Sequence, residues 1–170
     1  MNKLIEKAIT LSSNEFYKIE ADIFMSLYKK KCLPPFALAF LGLSSWKGSS
    51  LRSGVWTYYE ATEKQILEGT IQYLQEYAPL EEITKMYTLG NHDYSDEKYH
   101  GENYPQAWLD ESELIDVWIT SNENEINSFL LEIIRKNIDF FKDYSYNDVP
   151  NGVNFVNNLY ICWFINKKDG

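Results

Sequence analysis

Apolar residues recur at helical spacing along the chain, and this pattern predicts most of the fold. One stripe runs through residues 12 to 31, a second through residues 66 to 78, and a third through "NEINSFLLEIIRKNIDFF". Residues three and four apart lie on one face of a helix, so each stripe indicates an amphipathic helix with one buried side. The predicted buried positions are Phe16, Ile19, Ile23, Leu27, Leu67, Ile71, Leu74, Ala78, Ile126, Leu130, Ile133, Ile134 and Phe141.

Capping patterns predict where the helices begin and end. A Ser, Thr or Asp followed three residues later by Glu or Gln is typical of a helix N-terminus. The pattern occurs four times, as Ser12 with Glu15, Thr62 with Gln65, Asp110 with Glu113, and Thr120 with Glu123. Gly90 is expected to end the helix "LEEITKMYTL" in the left-handed conformation that glycine adopts freely. A short first helix is predicted from Lys3 to Leu11.

Five segments lack a clear period. "FALAFLGL" is apolar all round and is interpreted as a buried helix, whereas "SSWKGSSLRSG" and residues 91 to 107 are predicted to be loops. "VWTYYEA" fits either a strand or a buried helical turn. The end of the chain fits a β-hairpin around Asn157 and Asn158 or a last apolar helix. We therefore predict one mainly α domain over residues 1–170, with about six helices.

Composition adds limits to this fold. The chain has 170 residues, enough for one domain with a real core, and its many aromatic residues are expected to lie mainly in that core. No apolar run reaches the roughly 20 residues that a membrane span needs. Charges at Glu6 and Lys7 argue against a cleaved signal peptide. A cytoplasmic protein is expected, with Cys32 and Cys162 as reduced, partly buried thiols.

The negative charge is concentrated in one part of the chain. The formal net charge is −9, and residues 93 to 125 hold 10 acidic residues against the single Lys98. The first 52 residues instead have 8 basic and 4 acidic residues. Direct binding of nucleic acid is disfavoured, because no large basic face is evident. A basic protein is the partner that this charge distribution predicts.

The segment Gly90-Asn91-His92-Asp93 resembles the Gly-Asn-His-Asp motif of the calcineurin-like metallophosphoesterases. That family needs further Asp and His ligands for two metal ions, but this chain has only His92 and His100. A single metal held by His92, Asp93, Asp96 and His100 matches no standard zinc spacing. Phosphate-binding and thiol-protease signatures are also missing. No catalytic residue, metal or cofactor is therefore predicted, and the four residues are interpreted as a loop.

The middle of the chain resembles the DNA-mimic-protein family, acidic helical bacterial proteins annotated mostly as a domain of unknown function. That family has a small-residue turn with aromatics, roughly Asn-Gly-Gly-Phe-x-Gln-Tyr/Phe. In "RSGVWTYYEA", Gly54, Trp56, Tyr58 and Tyr59 match it, whereas Ser53, Val55 and Thr57 depart from it. "LDE" at residues 109–111 and "LLEIIRKN" also resemble family segments, so the resemblance covers about residues 35 to 142.

The resemblance implies a helical fold and a binding function without catalysis. Members of that family bind a DNA-binding protein through an acidic surface, usually as a dimer, so a homodimer is one expected state. The candidate partner-binding residues are Asp110, Glu111, Glu113, Asp116, Glu123 and Glu125, expected at two helix starts. The same residues could instead only stabilise helix dipoles and keep the protein soluble. Two alternatives are an immunity protein that neutralises a basic toxin and a metal-dependent hydrolase centred on His92, Asp93 and His100.

Overall fold

The computed structural model describes residues 3–30, 32–94 and 104–142, and these residues form helices joined by short turns. The α-helices are α1 (Lys3–Thr10), α2 (Tyr17–Tyr28), α3 (Pro35–Ser53), α4 (Trp56–Ala61), α5 (Lys64–Tyr77), α6 (Glu82–Leu89), α7 (Gln106–Ser121), α8 (Glu123–Lys136) and α9 (Ile138–Lys142). A 3-10 turn, Ser13–Glu15, precedes α2. Within the described ranges no residue is in a strand, so the mainly α prediction is confirmed. The expected hairpin at residues 157–158 lies outside those ranges.

Helix α3 lies at the centre of the fold and is longer than predicted. The segment "SSWKGSSLRSG" was predicted to be a loop, but α3 continues through it to Ser53. The prediction was wrong because Trp46 and Lys47 are buried in this part of the helix. Their burial outweighs the weak helix propensity of the serines and glycine around them. Helix α3 packs most extensively on α5, and also on α2, α4, α7 and α8.

The predicted apolar stripes form the core. Eleven of the thirteen predicted positions are buried, and Leu67 and Ile71 pack against the core while partly exposed. The predicted helix that was to carry Phe141 is interrupted, because α8 ends at Lys136 and α9 begins at Ile138. No helix in the described part of the chain is both long and apolar enough to cross a membrane.

The capping patterns mark the helix starts poorly. Helix α5 begins at Lys64 after Glu63, and α8 begins at Glu123 after Asn122, so neither Thr62 nor Thr120 is the cap. Only the first pattern leaves a trace: the Ser12 hydroxyl donates to the Glu15 carboxylate at 3.1 Å.

Helix α7 begins at Gln106. Pro105 directly before it is the N-cap residue, with a φ of −55° that its ring presets. The third capping pattern was therefore wrong, since Asp110 and Glu113 lie inside α7 rather than at its start. The expectation that two helix starts present the acidic residues holds only for Glu123 and Glu125, in the first turn of α8.

Gly90 follows α6 as predicted, but the expected reason was wrong. Its φ is −82°, outside the left-handed region. A Cβ at this position would lie 2.4 Å from Cε2 of Tyr59 and 3.1 Å from Cδ1 of Ile115. The site requires a glycine because two side chains pack directly against its backbone.

Cys32 also departs from the prediction. It is an exposed free thiol with a φ of 61°, whereas a partly buried position was expected. The reason is its location, because it lies in the connection between α2 and α3 rather than on a packed helix. Cys162 lies outside the described residues.

Buried aromatic side chains with polar ends join α3, α4 and α6. The indole of Trp46 donates to the Tyr59 hydroxyl at 2.8 Å, and that hydroxyl donates to the Tyr87 carbonyl oxygen at 2.7 Å. The hydroxyls of Tyr58 and Tyr87 bond to each other. Burial raises the pKa of Tyr58, Tyr59 and Tyr87 well above the usual range, because the phenolate form would lose its hydration.

Candidate interaction surface

An open groove of about 460 Å³ lies between α7 and the turn that joins α3 to α4. The turn contributes Gly54 and the start of α4 contributes Trp56. Helix α7 contributes the remaining lining residues, which are Leu109, Ser112, Glu113, Asp116, Val117, Thr120 and Ser121. Among the residues that the structure describes, the lining therefore combines an indole, two aliphatic side chains, two carboxylates and three hydroxyls, and it includes neither lysine nor arginine.

Asp116 holds the turn against α7. Its Oδ1 accepts a hydrogen bond from the Val55 amide at 2.9 Å. Burial raises the pKa of Asp116, opposed in part by the Ser50 hydroxyl and the Val55 amide, which favour the ionised form. Asp116 was predicted to bind a partner, and the structure gives this half-buried side chain an internal role as well.

Gly54 makes the turn possible. Its φ of 91° and ψ of 145° are accessible to glycine and rare for other residues. A Cβ on Gly54 would lie 2.9 Å from Cδ1 of Trp56 and 3.5 Å from Oδ2 of Asp116. The indole and the second carboxylate oxygen therefore flank the same point at the edge of the groove.

Ser112 is the most enclosed residue of the groove. It is 4% exposed, and its hydroxyl has no hydrogen-bond partner within the described residues. Buried hydroxyls in proteins are nearly always hydrogen-bonded, and leaving one unpaired costs about 1–3 kcal/mol. Its oxygen is also shielded from solvent, so the hydroxyl does not face the open side of the groove.

The other predicted partner-binding residues differ in their surroundings. Glu113 is exposed at the groove, and Glu123 and Glu125 are exposed at the start of α8. Asp110 is exposed on α7 and accepts a hydrogen bond from Gln106 at 2.8 Å. Glu111 is partly buried and bonds the ring of His92, with 2.5 Å between Oε2 and Nε2.

His92 lies in an aromatic cluster rather than among several ligands. Its ring stacks on Trp108 with 4.4 Å between centroids and 1° between planes. Tyr94 and Tyr104 pack against Trp108, and Tyr104 also contacts Trp56. In the described ranges, no three or more His, Cys, Asp or Glu side chains are placed to hold a metal ion. His100 and Asp96, the other residues of the disfavoured single-metal arrangement, lie outside these ranges.

The four residues of the predicted aromatic motif divide between the core and the surface. Tyr58 and Tyr59 are buried in the hydrogen-bonded tyrosine cluster. Gly54 and Trp56 are partly exposed and line the groove. "VWTYYEA" is thus the short helix α4, one of the two structures that the sequence allowed.

The aliphatic part of this surface was not predicted. Leu109, Leu114 and Val117 on α7 are 39%, 52% and 60% exposed. The sequence "WLDESELIDVWI" contains a signal for their exposure, because Ile115 and Ile119 form the buried stripe and these three residues fall outside it.

Comparisons with protein-family models, curated proteins and solved structures find no match for this chain.

Proposed function

We propose that this protein is a non-enzymatic domain that binds a basic protein through α7 and the start of α8. We call the following exposed residues the acidic surface: Leu109, Asp110, Glu113, Leu114, Val117, Glu123 and Glu125. The observation that carries the proposal is the mixture on α7, where carboxylates and large aliphatic side chains are exposed together. Aliphatic groups exposed beside polar ones are typical of binding sites for other proteins.

Charge supports a basic partner. Residues 104 to 134 contain seven acidic residues and no lysine or arginine, so no cation from this stretch neutralises the surface. Opposite charges across an interface accelerate association and exclude partners of the wrong sign. The exposed leucines and valine add the apolar contact that gives lasting affinity.

The aliphatic residues also bear on the kind of partner. A surface that imitates only the phosphates of a DNA duplex requires carboxylates, and such imitation does not explain exposed leucine side chains. A partner with basic and apolar groups side by side fits better, and this favours a protein such as a basic toxin as much as a DNA-binding protein. The immunity and DNA-mimic hypotheses both remain as forms of the same binding function.

Site-specific photo-cross-linking in cells tests the proposal. Benzoylphenylalanine replaces Leu114, in the acidic surface, or Leu80, an 86% exposed residue in the turn before α6. We expect a basic protein cross-linked from position 114 and not from the control position 80. The identity of that protein separates a toxin from a DNA-binding protein. The absence of any product specific to position 114, or an acidic protein as the product, would refute the proposal.

The isolated complex allows a quantitative check. A variant with Asp110→Asn, Glu113→Gln, Glu123→Gln and Glu125→Gln keeps the side-chain shapes and removes four exposed charges. We expect slower association and a flatter dependence of the association rate on salt, because screening acts on the charges that were removed. Glu63→Gln, Glu68→Gln, Glu76→Gln and Glu81→Gln together remove four exposed charges from α5 and its flanking turns as the control. Equal effects of the two variants would argue against this surface.

A further inference from the structure

We infer that the groove beside Trp56 is a receptor site for an arginine side chain of the partner. The inference rests on the proposed function, because it names the chemical group that the partner places in one part of the acidic surface. One observation independent of charge supports it: the Trp56 indole is partly exposed and lines the groove.

The carboxylates determine the sign of the occupant. Glu113 and Asp116 line the groove together, and no lysine or arginine of the described residues lines it with them. Asp116 uses Oδ1 for the Val55 amide, while Oδ2 lies next to Gly54 at the groove edge. Burial disfavours the ionised form of Asp116, so an incoming cation would be stabilised by a carboxylate that now has incomplete hydration.

The indole distinguishes arginine from lysine. A planar guanidinium stacks on an aromatic face while its N–H groups still reach acceptors in the ring plane. It has five N–H donors, and the groove offers carboxylate acceptors on Glu113 and Asp116. An ammonium group has three donors on a single point charge and cannot stack in this way.

The aliphatic lining suits the rest of the side chain. Leu109 and Val117 lie on the α7 side of the groove, where the methylene groups of an arginine stem can cover apolar surface. The indole packs closely against the Gly54 backbone, because a Cβ at this position would lie only 2.9 Å from Cδ1 of Trp56. Charge, stacking and stem contacts thus agree on one occupant.

Nuclear magnetic resonance on the full chain tests this with N-acetyl-arginine amide as the probe. The protein has five tryptophans, and Trp56→Phe identifies the indole N–H signal of Trp56. We expect saturable shifts of that signal with a Kd on the order of millimolar, as suits a fragment of this size. N-acetyl-lysine amide should bind several-fold more weakly, and neutral N-acetyl-citrulline amide should give no saturable shift. Free arginine should also bind more weakly, because its carboxylate meets an acidic surface.

Variants locate the site. Glu113→Gln should weaken binding of the arginine probe about tenfold, the effect of losing one charge-assisted hydrogen bond. Glu76→Gln is the matched control, because it removes the same charge from an exposed position of α5 outside the groove lining and the acidic surface, and less than about a twofold change is expected.

Three results would overturn the inference. One is equal binding of the arginine and lysine probes, and another is an equal effect of Glu113→Gln and Glu76→Gln, since both indicate only general attraction to an acidic protein. A third is a Trp56 signal that shifts with protein concentration alone, which would make a second copy of the chain the occupant. A partner cross-linked at position 114 together with any of these results would leave the proposed function intact and refute only the groove.

Discussion

Gly48 and Gly54 show that glycine has different roles inside helix α3 and at its C-terminal end. Gly48 is exposed inside α3 with open space where a Cβ would be, whereas Gly54 combines a φ of 91° with close contact to Trp56. We expect Gly54→Ala to lower the free energy of unfolding by about 1–3 kcal/mol. Gly48→Ala should raise it by roughly 0.5–1 kcal/mol, because alanine is the better helix former. Urea unfolding of both variants checks the signs, and a stabilising Gly54→Ala would contradict the turn described here.

Single residues are also where sequence reasoning reached least far. The sequence indicates that Gly90 ends a helix, but it does not show that Tyr59 and Ile115 pack on the backbone of this glycine. Glu111 looks like the other acids of its helix, yet it bonds His92, which is 19 positions away. Such pairings depend on which helix faces end up together, and local spacing carries no record of them.

At the scale of elements, helices with one apolar stripe were predictable, and so was the apolar first half of the enclosed helix α3, whereas its second half was not. Helices α2, α5 and α8 bury one side, so a period of 3.6 is visible in their sequences. Helix α3 is surrounded by neighbours, and its second half buries Lys47 among serines and glycine. A buried lysine gives no apolar signal, because only its partners make its burial tolerable.

Lys47 joins three elements, and its loss is expected to be severe. Its Nζ donates to Glu20 of α2 at 2.7 Å and to Asn127 of α8 at 2.6 Å. Lys47→Met should lower the free energy of unfolding by about 3 kcal/mol, because Glu20 would keep a largely buried charge without its partner. Adding Glu20→Gln should restore part of that loss. Chemical denaturation of the single and double variants measures both effects.

Lys18 provides the matched control for this ion pair. It bonds Glu15 at a similar distance of 2.9 Å, but both side chains are about half exposed. Lys18→Met is expected to leave stability nearly unchanged, because water and salt screen an exposed pair. If Lys47→Met proved as harmless as Lys18→Met, the link between α2, α3 and α8 would contribute little to the fold.

At the scale of the whole molecule, hydrophobic periodicity predicted the class of fold. The order of charged residues along the chain indicated which segment carries the negative charge. The acidic residues from 110 to 125 do lie on helices, with most of them exposed. The groove depends on a tertiary contact between elements that are distant in the sequence. It forms because the turn at Gly54 places Trp56 beside α7, more than fifty residues further along the chain. Helix periodicity can identify the outer side of α7, but not the element that lies next to it.

The buried tyrosines make the stability of the whole fold sensitive to alkaline pH. Their raised pKa means that the unfolded chain releases these protons near pH 10, the ordinary tyrosine value, while the folded protein retains them. Stability from Tyr58, Tyr59 and Tyr87 is therefore complete below about pH 10 and is lost as the pH rises above it. We expect one step at alkaline pH in which phenolate absorbance rises as helical circular dichroism is lost. Complete titration of all 13 tyrosines before any loss of helix would show that this cluster is open to solvent.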